Sequence, residues 1–227
     1  MKKTGILFYS HQANLAGAPL SISALAEALS KKYRVVFVCP FDGPILSKIK
    51  CKKYVIGHWF QERKLDQIIK NEQIDLVHAN TILAMPAVKA AKRLKVKLIW
   101  HIREDLSNTP ERIIQKIQQL ADRVIIISDS MFKYFRNSKN VIRVYNGIAE
   151  EKKLLAERPS KTPVILFAGT IEPRKGVLEL IMALNNLRTL THIPFSCELY
   201  GSPLPNTQGY FKKIKAYIKR EKLEKLV

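Results

Sequence analysis

Short apolar runs alternate with amphipathic stretches along almost the whole chain. Runs such as "ILFY", "VVFV" and "VIII" are continuous, which is typical of strands buried on both faces of a parallel sheet. Segments between them repeat apolar residues at helical spacing, as at Ile22, Leu25, Ala26 and Leu29. This order of elements predicts an α/β fold built on a doubly wound parallel sheet.

The pattern predicts alternating strands and helices up to residue 147, with no helix between the second and third strands. The predicted strands are 4–10, 34–38, 51–56, 74–80, 96–102, 123–128 and 140–147. Predicted helices follow Pro19 and cover 65–73, 82–95, 111–121 and 129–137. Pro86 predicts a kink or a late start in its helix, and Ser128 or Asp129 is the expected cap of the last one.

The alternation stops in "AEEKKLLAERPSKT" and then resumes, which predicts two domains. Residues 1–148 form a complete Rossmann-like domain, 149–162 a linker, and 163–227 a second Rossmann-like domain. The second domain has only strand 163–168, helix 174–190, strand 195–201 and helix 209–222. Two parallel strands make a poor sheet with exposed edges, so we expect a truncated domain.

Charge and cysteine usage narrow the class of protein. The 227 residues carry a net charge of +20, with +13 in residues 1–150 and +7 in the remainder. An anionic partner is implied, and nucleic acid, a membrane surface and a phosphorylated small molecule all satisfy this. The three cysteines, Cys39, Cys51 and Cys197, have neither disulfide nor metal spacing. The short N-terminal apolar run lacks the form of a secretion signal, so we expect a cytoplasmic protein.

The stretch "AGTIEPRKG" joins a buried strand to a helix. Such turns lie at the carboxyl edge of an open α/β sheet, where ligands bind. Arg174 and Lys175 beside the positive end of a helix would suit a phosphate group. The alternative is an ordinary basic loop on a surface helix.

Four stretches, in this order, resemble the GT-B glycosyltransferases of retaining family 4. They are "AGAPLSISALAEALSKKYRVVFV", "LIWHIRED", "VIRVYNGI" and "VILFAGTIEPRKGVLELIMAL". The resemblance implies a GT-B type fold, with an acceptor-side first domain and a nucleotide-sugar-binding second domain. It also implies transfer of a sugar from a nucleoside-diphosphate sugar to a glycan or lipid-linked acceptor, with retention.

The resemblance also assigns roles to individual residues. His101 and Lys175 are the implied catalytic residues, and Lys175 would neutralise the leaving diphosphate. Donor binding is implied for Gly17, Thr170 and Arg174 together with Lys175; Thr170 stands where the family commonly has arginine. Acceptor binding is expected of Asn80, Arg103 and Glu104, whereas Asn146 and Gly147 are interpreted as structural.

The implied chemistry needs no metal and no cofactor other than the nucleotide-sugar co-substrate. No Asp-x-Asp pair occurs, and CxxC, HExxH, Gly-x-Ser-x-Gly and GxGxxG are absent. The family's two glutamates separated by seven residues are also absent, so we expect little sugar transfer from these 227 residues alone. The alternatives are a non-catalytic membrane- or acceptor-binding module and one half of a split enzyme.

Two lysine-rich stretches predict peripheral contact with the anionic inner face of a membrane. One contains Lys89, Lys92, Arg93, Lys95 and Lys97, and the other contains Lys48, Lys50, Lys52 and Lys53. A solvated basic face is the alternative. Nucleic-acid binding is not expected, because the basic residues are not interleaved with aromatic residues and no recognition motif occurs.

Overall fold

The computed structural model describes residues 3–136, 138–148 and 162–227. The chain divides into two compact units, Met1–Glu150 and Glu151–Val227. The division falls within the predicted linker 149–162, which lies outside the described residues apart from Thr162. Each unit is described by itself.

The first unit contains a seven-stranded sheet in which every strand pair is parallel. The strands are β1 (Gly5–Ser10), β2 (Arg34–Cys39), β3 (Lys52–Val55), β4 (Leu76–Asn80), β5 (Lys97–Ile102), β6 (Arg123–Ile126) and β7 (Val141–Arg143). The helices are α1 (Gly17–Ser30), α2 (Gln61–Asn71), α3 (Met85–Arg93) and α4 (Glu111–Leu120). The predicted α/β class and parallel sheet are confirmed.

Both faces of the sheet are covered, because successive side chains of a strand point to opposite faces. Leu7, Val77 and Trp100 face a core formed with α2, α3 and α4. Ile6 and Phe8 instead face a second core formed with α1. This arrangement explains the continuous apolar runs, and it makes the sheet doubly wound as predicted.

The strand order β3-β2-β1-β4-β5-β6-β7 reverses direction between β1 and β4. In open α/β sheets the crevice outside the carboxyl ends of the strands at such a reversal is the usual ligand site. The register places Ser10 beside Asn80, and Asn80 beside His101. The sheet therefore sets these three side chains in one row at its carboxyl edge.

The second unit consists of two parallel strands and two helices in its described part. Strand β8 (Val164–Ala168) pairs with β9 (Ser196–Tyr200), and each is followed by a helix, α5 (Val177–Leu190) and α6 (Gln208–Arg220). Val177, Ile181 and Ile214 from the helices pack into one small core. The small two-stranded sheet agrees with the predicted partial Rossmann-like architecture.

Three local predictions need correction. Residues Asp129–Tyr134 form a 3₁₀ helix without a side-chain cap, because Ser128 Oγ bonds Ser130 Oγ and Asp129 pairs with Arg143. The strand predicted for 140–147 covers only Val141–Arg143. Helix α5 begins at Val177 rather than 174, since Gly176 adopts a left-handed conformation with φ of 67°. Pro86 does mark a late helix start, at Met85.

We expect a chain of residues 1–150 to fold alone, because the seven-stranded sheet and both of its cores lie within that unit. Urea unfolding followed by tryptophan fluorescence and by circular dichroism should give coincident, single transitions. An unfolded 1–150 chain beside a folded full chain would contradict this.

Candidate functional site

Polar side chains are buried at the carboxyl edge of the sheet, beside the reversal of strand order. Ser10 and Asn80 are fully buried, and His101 is 4% exposed. Burying polar groups is unfavourable unless hydrogen bonds replace those made to water. The partners of these side chains therefore show how this edge is built.

Asn80 connects the start of α1 to the end of β5. Its amide nitrogen donates to the Ala18 carbonyl at 3.2 Å, and its Oδ1 accepts a hydrogen bond from Arg103 Nε at 2.7 Å. Both ends of the amide thus have protein partners. The predicted acceptor contact of Asn80 stays a prediction, and its evident role is to hold Arg103.

The Arg103 guanidinium joins three segments of the edge. Besides Asn80 at the end of β4, it donates to His101 Nδ1 at 3.3 Å and to Asn146 Oδ1 beyond β7. Burial lowers the pKa of Arg103 to about 10, so the group stays positively charged at neutral pH. These bonds occupy three of the five N–H donors of a guanidinium, which leaves donors for a ligand.

The bond from Arg103 determines the protonation of His101. Because a guanidinium can only donate, His101 Nδ1 must be the unprotonated nitrogen of the ring. His78 Nε2, 3.2 Å from the same Nδ1, must then also act as a donor. The proton of neutral His101 therefore lies on Nε2, which is buried without a hydrogen-bond partner in the described part of the chain.

The two histidines stay neutral over a wide pH range. Burial, and to a smaller extent the charge of Arg103, lower the pKa of His78 to about 3 and that of His101 to about 2. His78 also stacks on Phe8, with ring centroids 5.0 Å apart. The pair is thus arranged for hydrogen bonding rather than for taking up protons at neutral pH.

Glu104 fastens the loops that follow β4 and β5. Its carboxylate accepts hydrogen bonds from the backbone N–H groups of Ile82, at 3.2 Å, and Arg103, at 3.0 Å. Between these strands, Thr81 has a φ of 75°, which is unusual for threonine. Trp100 Nε1 holds the Thr81 carbonyl at 2.8 Å. The predicted acceptor contact of Glu104 stays a prediction beside this structural role.

A groove of about 470 Å³ opens on this network, within the first unit. Its lining comes from one face of α1, the end of β5 and the segment after β7: Ser21, Ala24, Leu25, His101, Arg103 and Val144 to Gly147. Gly17 begins α1, and a Cβ built there would meet no protein atom within 4 Å. The fold itself therefore does not require glycine at position 17.

The second-unit residues lie on the turn after β8. Pro173–Lys175 form a 3₁₀ turn before α5. The prediction that Arg174 and Lys175 lie in the first turn of that helix is therefore wrong. Arg174 pairs with Glu172 at 2.7 Å. Lys175 is exposed, and within residues 162–227 no hydrogen bond or ion pair of its side-chain ammonium is seen. Thr170 follows β8 and is half-buried.

The structure brings Asn80, His101 and Arg103 together, and Gly17 lies one residue before the Ala18 carbonyl that Asn80 holds. Thr170, Arg174 and Lys175 share one turn of the second unit. The sequence analysis missed His78 and the side-chain role of Asn146. The alternation of strand β4 could have placed His78 on the face of Asn80, but no local pattern connects residue 146 to residue 103.

The family model described as "Glycosyltransferase Family 4" matches residues 16–152, more than half of the chain. The chain belongs to glycosyltransferase family 4. A search of curated proteins gives no match. The match covers the groove and its network, and the family resemblance expected from the sequence is confirmed.

Solved structures similar to this family 4 chain show the same GT-B fold. HepE from Anabaena, in complex with UDP, has a TM-score of 0.80 at 20% identity, covering 100% of this chain and 68% of its own. HepE with UDP and glucose has a TM-score of 0.76 at 21% identity, covering 98% and 67%. A glycosyltransferase from Rickettsia africae has a TM-score of 0.78 at 17% identity, and the match covers 100% of this chain and 67% of that protein. The chain thus spans about two thirds of their length.

The described residues also bear on the predictions of metal independence and of a cytoplasmic location. No group of three or more His, Cys, Asp or Glu side chains within 3–136, 138–148 and 162–227 is arranged to hold a metal ion. None of the described helices is long and apolar enough to span a bilayer. Metal independence and a cytoplasmic location stay predictions.

We expect nuclear magnetic resonance to find His101 as the neutral Nε2–H tautomer between about pH 5 and 8. The assigned ¹⁵N shifts of the imidazole should show Nδ1 unprotonated throughout. Arg103→Gln should weaken this preference. Arg112→Gln, at an exposed position of α4, should leave the shifts unchanged. A protonated Nδ1 in the wild-type chain would contradict the assignment.

The buried histidines should make the first unit less stable in acid. Unfolded imidazoles titrate near 6.5, whereas His78 stays neutral until about pH 3, so the unfolded state binds more protons between these values. The free energy of unfolding should therefore fall as the pH falls through this window. Each such histidine contributes a slope of up to about 1.4 kcal/mol per pH unit.

Tryptophan fluorescence during urea unfolding, at a series of pH values, measures this slope. His78→Leu should reduce it by about 1.4 kcal/mol per pH unit at most between about pH 4 and 6. His192→Leu, an exposed position in the second unit, is the matched control. An unchanged slope in His78→Leu would show that His78 is not held neutral.

Proposed function

We propose that this family 4 chain carries the acceptor-side domain and part of the donor-side domain of a retaining glycosyltransferase. The reaction is transfer of a sugar from a nucleoside-diphosphate sugar to a glycan or lipid-linked acceptor. The observation that carries the proposal is the groove lined by hydrogen-bond donors at the carboxyl edge of the sheet, where the strand order reverses. This groove lies within the region that matches the family. HepE, which has the same fold, holds UDP and glucose.

The groove favours a ligand rich in oxygen acceptors. Arg103 has unused N–H groups at the groove, and Ser21 lines the same wall. His101 lines it too, and its unpartnered Nε2–H, which is buried in this structure, would need a small movement of the ring to reach a ligand. Sugar hydroxyls and phosphate oxygens accept such bonds, and partly desolvated charged donors bind them more strongly than neutral ones. His101 in this role orients a sugar or stabilises developing negative charge, and it does not serve as a base.

Lys175 supplies the positive charge that stabilises the departing nucleoside diphosphate. Breaking the bond between sugar and diphosphate leaves negative charge on the leaving group, which a fixed cation stabilises. Lys175 is exposed, and no protein partner of its side-chain ammonium is seen in the described part of the second unit. Arg174 is tied to Glu172, so Lys175 is the better placed of the two to bind a diphosphate.

Calorimetric titration with UDP-glucose tests the role of Lys175. A lost charged contact is worth about 1.5–3 kcal/mol, so Lys175→Ala should weaken binding roughly tenfold to a hundredfold. Lys213→Ala, an exposed cation on α6, should leave binding unchanged. Equal affinity of Lys175→Ala and the wild-type chain would contradict the assignment.

Gly17→Ala separates ligand approach from folding. Its added Cβ meets no protein atom, so thermal stability should be preserved. If the ligand approaches the backbone at the start of α1, the methyl group should reduce UDP-glucose affinity roughly tenfold or more. Gly209→Ala, at the start of α6 and equally open, is the matched control. Unchanged binding in Gly17→Ala would remove Gly17 from the site.

A further inference from the structure

Four aromatic side chains form a projection at the carboxyl ends of β2 and β3. Phe41 follows β2, whereas His58, Trp59 and Phe60 lie between β3 and α2. Phe41 stacks on His58 with ring centroids 5.8 Å apart, and the Trp59 ring meets His58 edge-on at 5.8 Å. These four residues are called the aromatic tip below.

The aromatic tip is exposed although three of its four members, Phe41, Trp59 and Phe60, are large apolar side chains. Trp59 is 76% exposed, Phe60 72% and Phe41 48%. Single exposed apolar residues are common, but a contiguous exposed aromatic group indicates an interaction surface. Its position at an outer edge of the sheet leaves it outside both cores of the unit.

The backbone holds the aromatic tip in its exposed position. Phe60 has a φ of 56°, a left-handed conformation that side chains other than glycine seldom adopt. Buried Tyr9 donates to Gln61 Oε1 at 2.7 Å, and Gln61 Nε2 donates to the His58 carbonyl at 3.1 Å. A strained conformation tied to the core in this way is maintained by the fold rather than by chance.

The charge beside the aromatic tip is positive. Glu62 in the first turn of α2 is neutralised by Lys89 at 2.9 Å and Arg93 at 3.2 Å. Arg63 and Lys64 are exposed at the same turn. Asp42, next to Phe41, is the acidic residue closest to the tip in sequence. The whole chain carries +20, which favours an anionic surface.

Ion pairs of this kind also make the two lysine-rich stretches less suitable as a membrane-binding site. Lys89 and Arg93 pair with Glu62 and Asp66, while Lys97 approaches Asp122 at 3.6 Å. In the other stretch, Lys52 pairs with Glu72 at 2.6 Å, and Lys53 bonds two backbone carbonyls. Four of the nine cations in the two stretches, Lys52, Lys89, Arg93 and Lys97, are therefore paired with carboxylates of the protein.

We propose that the aromatic tip inserts into the interfacial layer of an anionic bilayer while Arg63 contacts lipid headgroups. Tryptophan and other amphipathic aromatic side chains are favoured at headgroup depth, and neighbouring cations add attraction to anionic lipid. A fluid bilayer suits a convex tip, which lines neither the groove nor the smaller cavity at this edge.

Insertion would place the carboxyl edge of the first unit against the membrane. The groove opens at that same edge, so an acceptor anchored in lipid would meet His101 and Arg103 without leaving the bilayer. This consequence rests on the proposed function, whereas insertion of the tip does not. The experiment below measures insertion alone, so its outcome is independent of UDP-glucose binding.

Tryptophan fluorescence of the full chain tests the insertion directly. The chain has two tryptophans, and Trp100 is fully buried, so changes on mixing report on Trp59. Vesicles of phosphatidylcholine and phosphatidylglycerol in equal parts should shift the emission to shorter wavelength. Brominated lipid should quench it. Pure phosphatidylcholine vesicles should have a much smaller effect, as should high salt.

Vesicle sedimentation then measures the contribution of the tip. The double change Trp59→Ser and Phe60→Ser should weaken binding at least about tenfold. The matched control, Leu190→Ser with Ile193→Ser, removes a comparably exposed apolar pair, 81% and 64% exposed, from the second unit and should bind as the wild-type chain does. Arg63→Gln should reduce binding to anionic vesicles only.

Three outcomes would overturn the proposal. One is Trp59 emission that does not change with anionic vesicles. Another is an equal loss of vesicle binding in the control pair. The last is a change in Trp59 emission with a single-stranded oligonucleotide but not with vesicles, which would assign the tip to base stacking.

Discussion

The guanidinium of Arg103 holds the carboxyl edge of the first unit together. It links the end of β4 through Asn80, the end of β5 through His101, and the segment beyond β7 through Asn146. All three partners are neutral, so the charge is partly buried without direct neutralisation by its hydrogen-bond partners. Such a group is unfavourable for folding alone but favourable for binding a ligand that carries oxygen acceptors.

The sheet makes this arrangement possible, because parallel strands bring their carboxyl ends to one edge. Residues separated by more than twenty positions, such as Asn80 and His101, become neighbours through strand register. Glu104 fastens the backbone of the adjoining loops, which keeps the polar side chains in place. The site is thus a product of topology first and of side-chain chemistry second.

Periodicity predicted the strands and helices of the first unit well, because burial on both faces leaves continuous apolar runs that few other structures produce. It failed where single side-chain contacts decide the geometry. Asp129 pairs with Arg143 instead of capping a helix, and Gly176 delays α5. The bond between Asn146 and Arg103 and the exposure of the aromatic tip were not predicted, because they depend on long-range packing that a local pattern does not contain.

The neutral histidine pair has a consequence for enzyme kinetics. An ionisation near pH 6 to 7 in a rate profile is ordinarily assigned to a histidine at the active site. In this chain His78 and His101 do not titrate in that range, with pKa values of about 3 and 2. An ionisation near neutral pH in the rate profile would therefore belong to a group other than these two imidazoles, and replacing His101 would leave its midpoint unmoved.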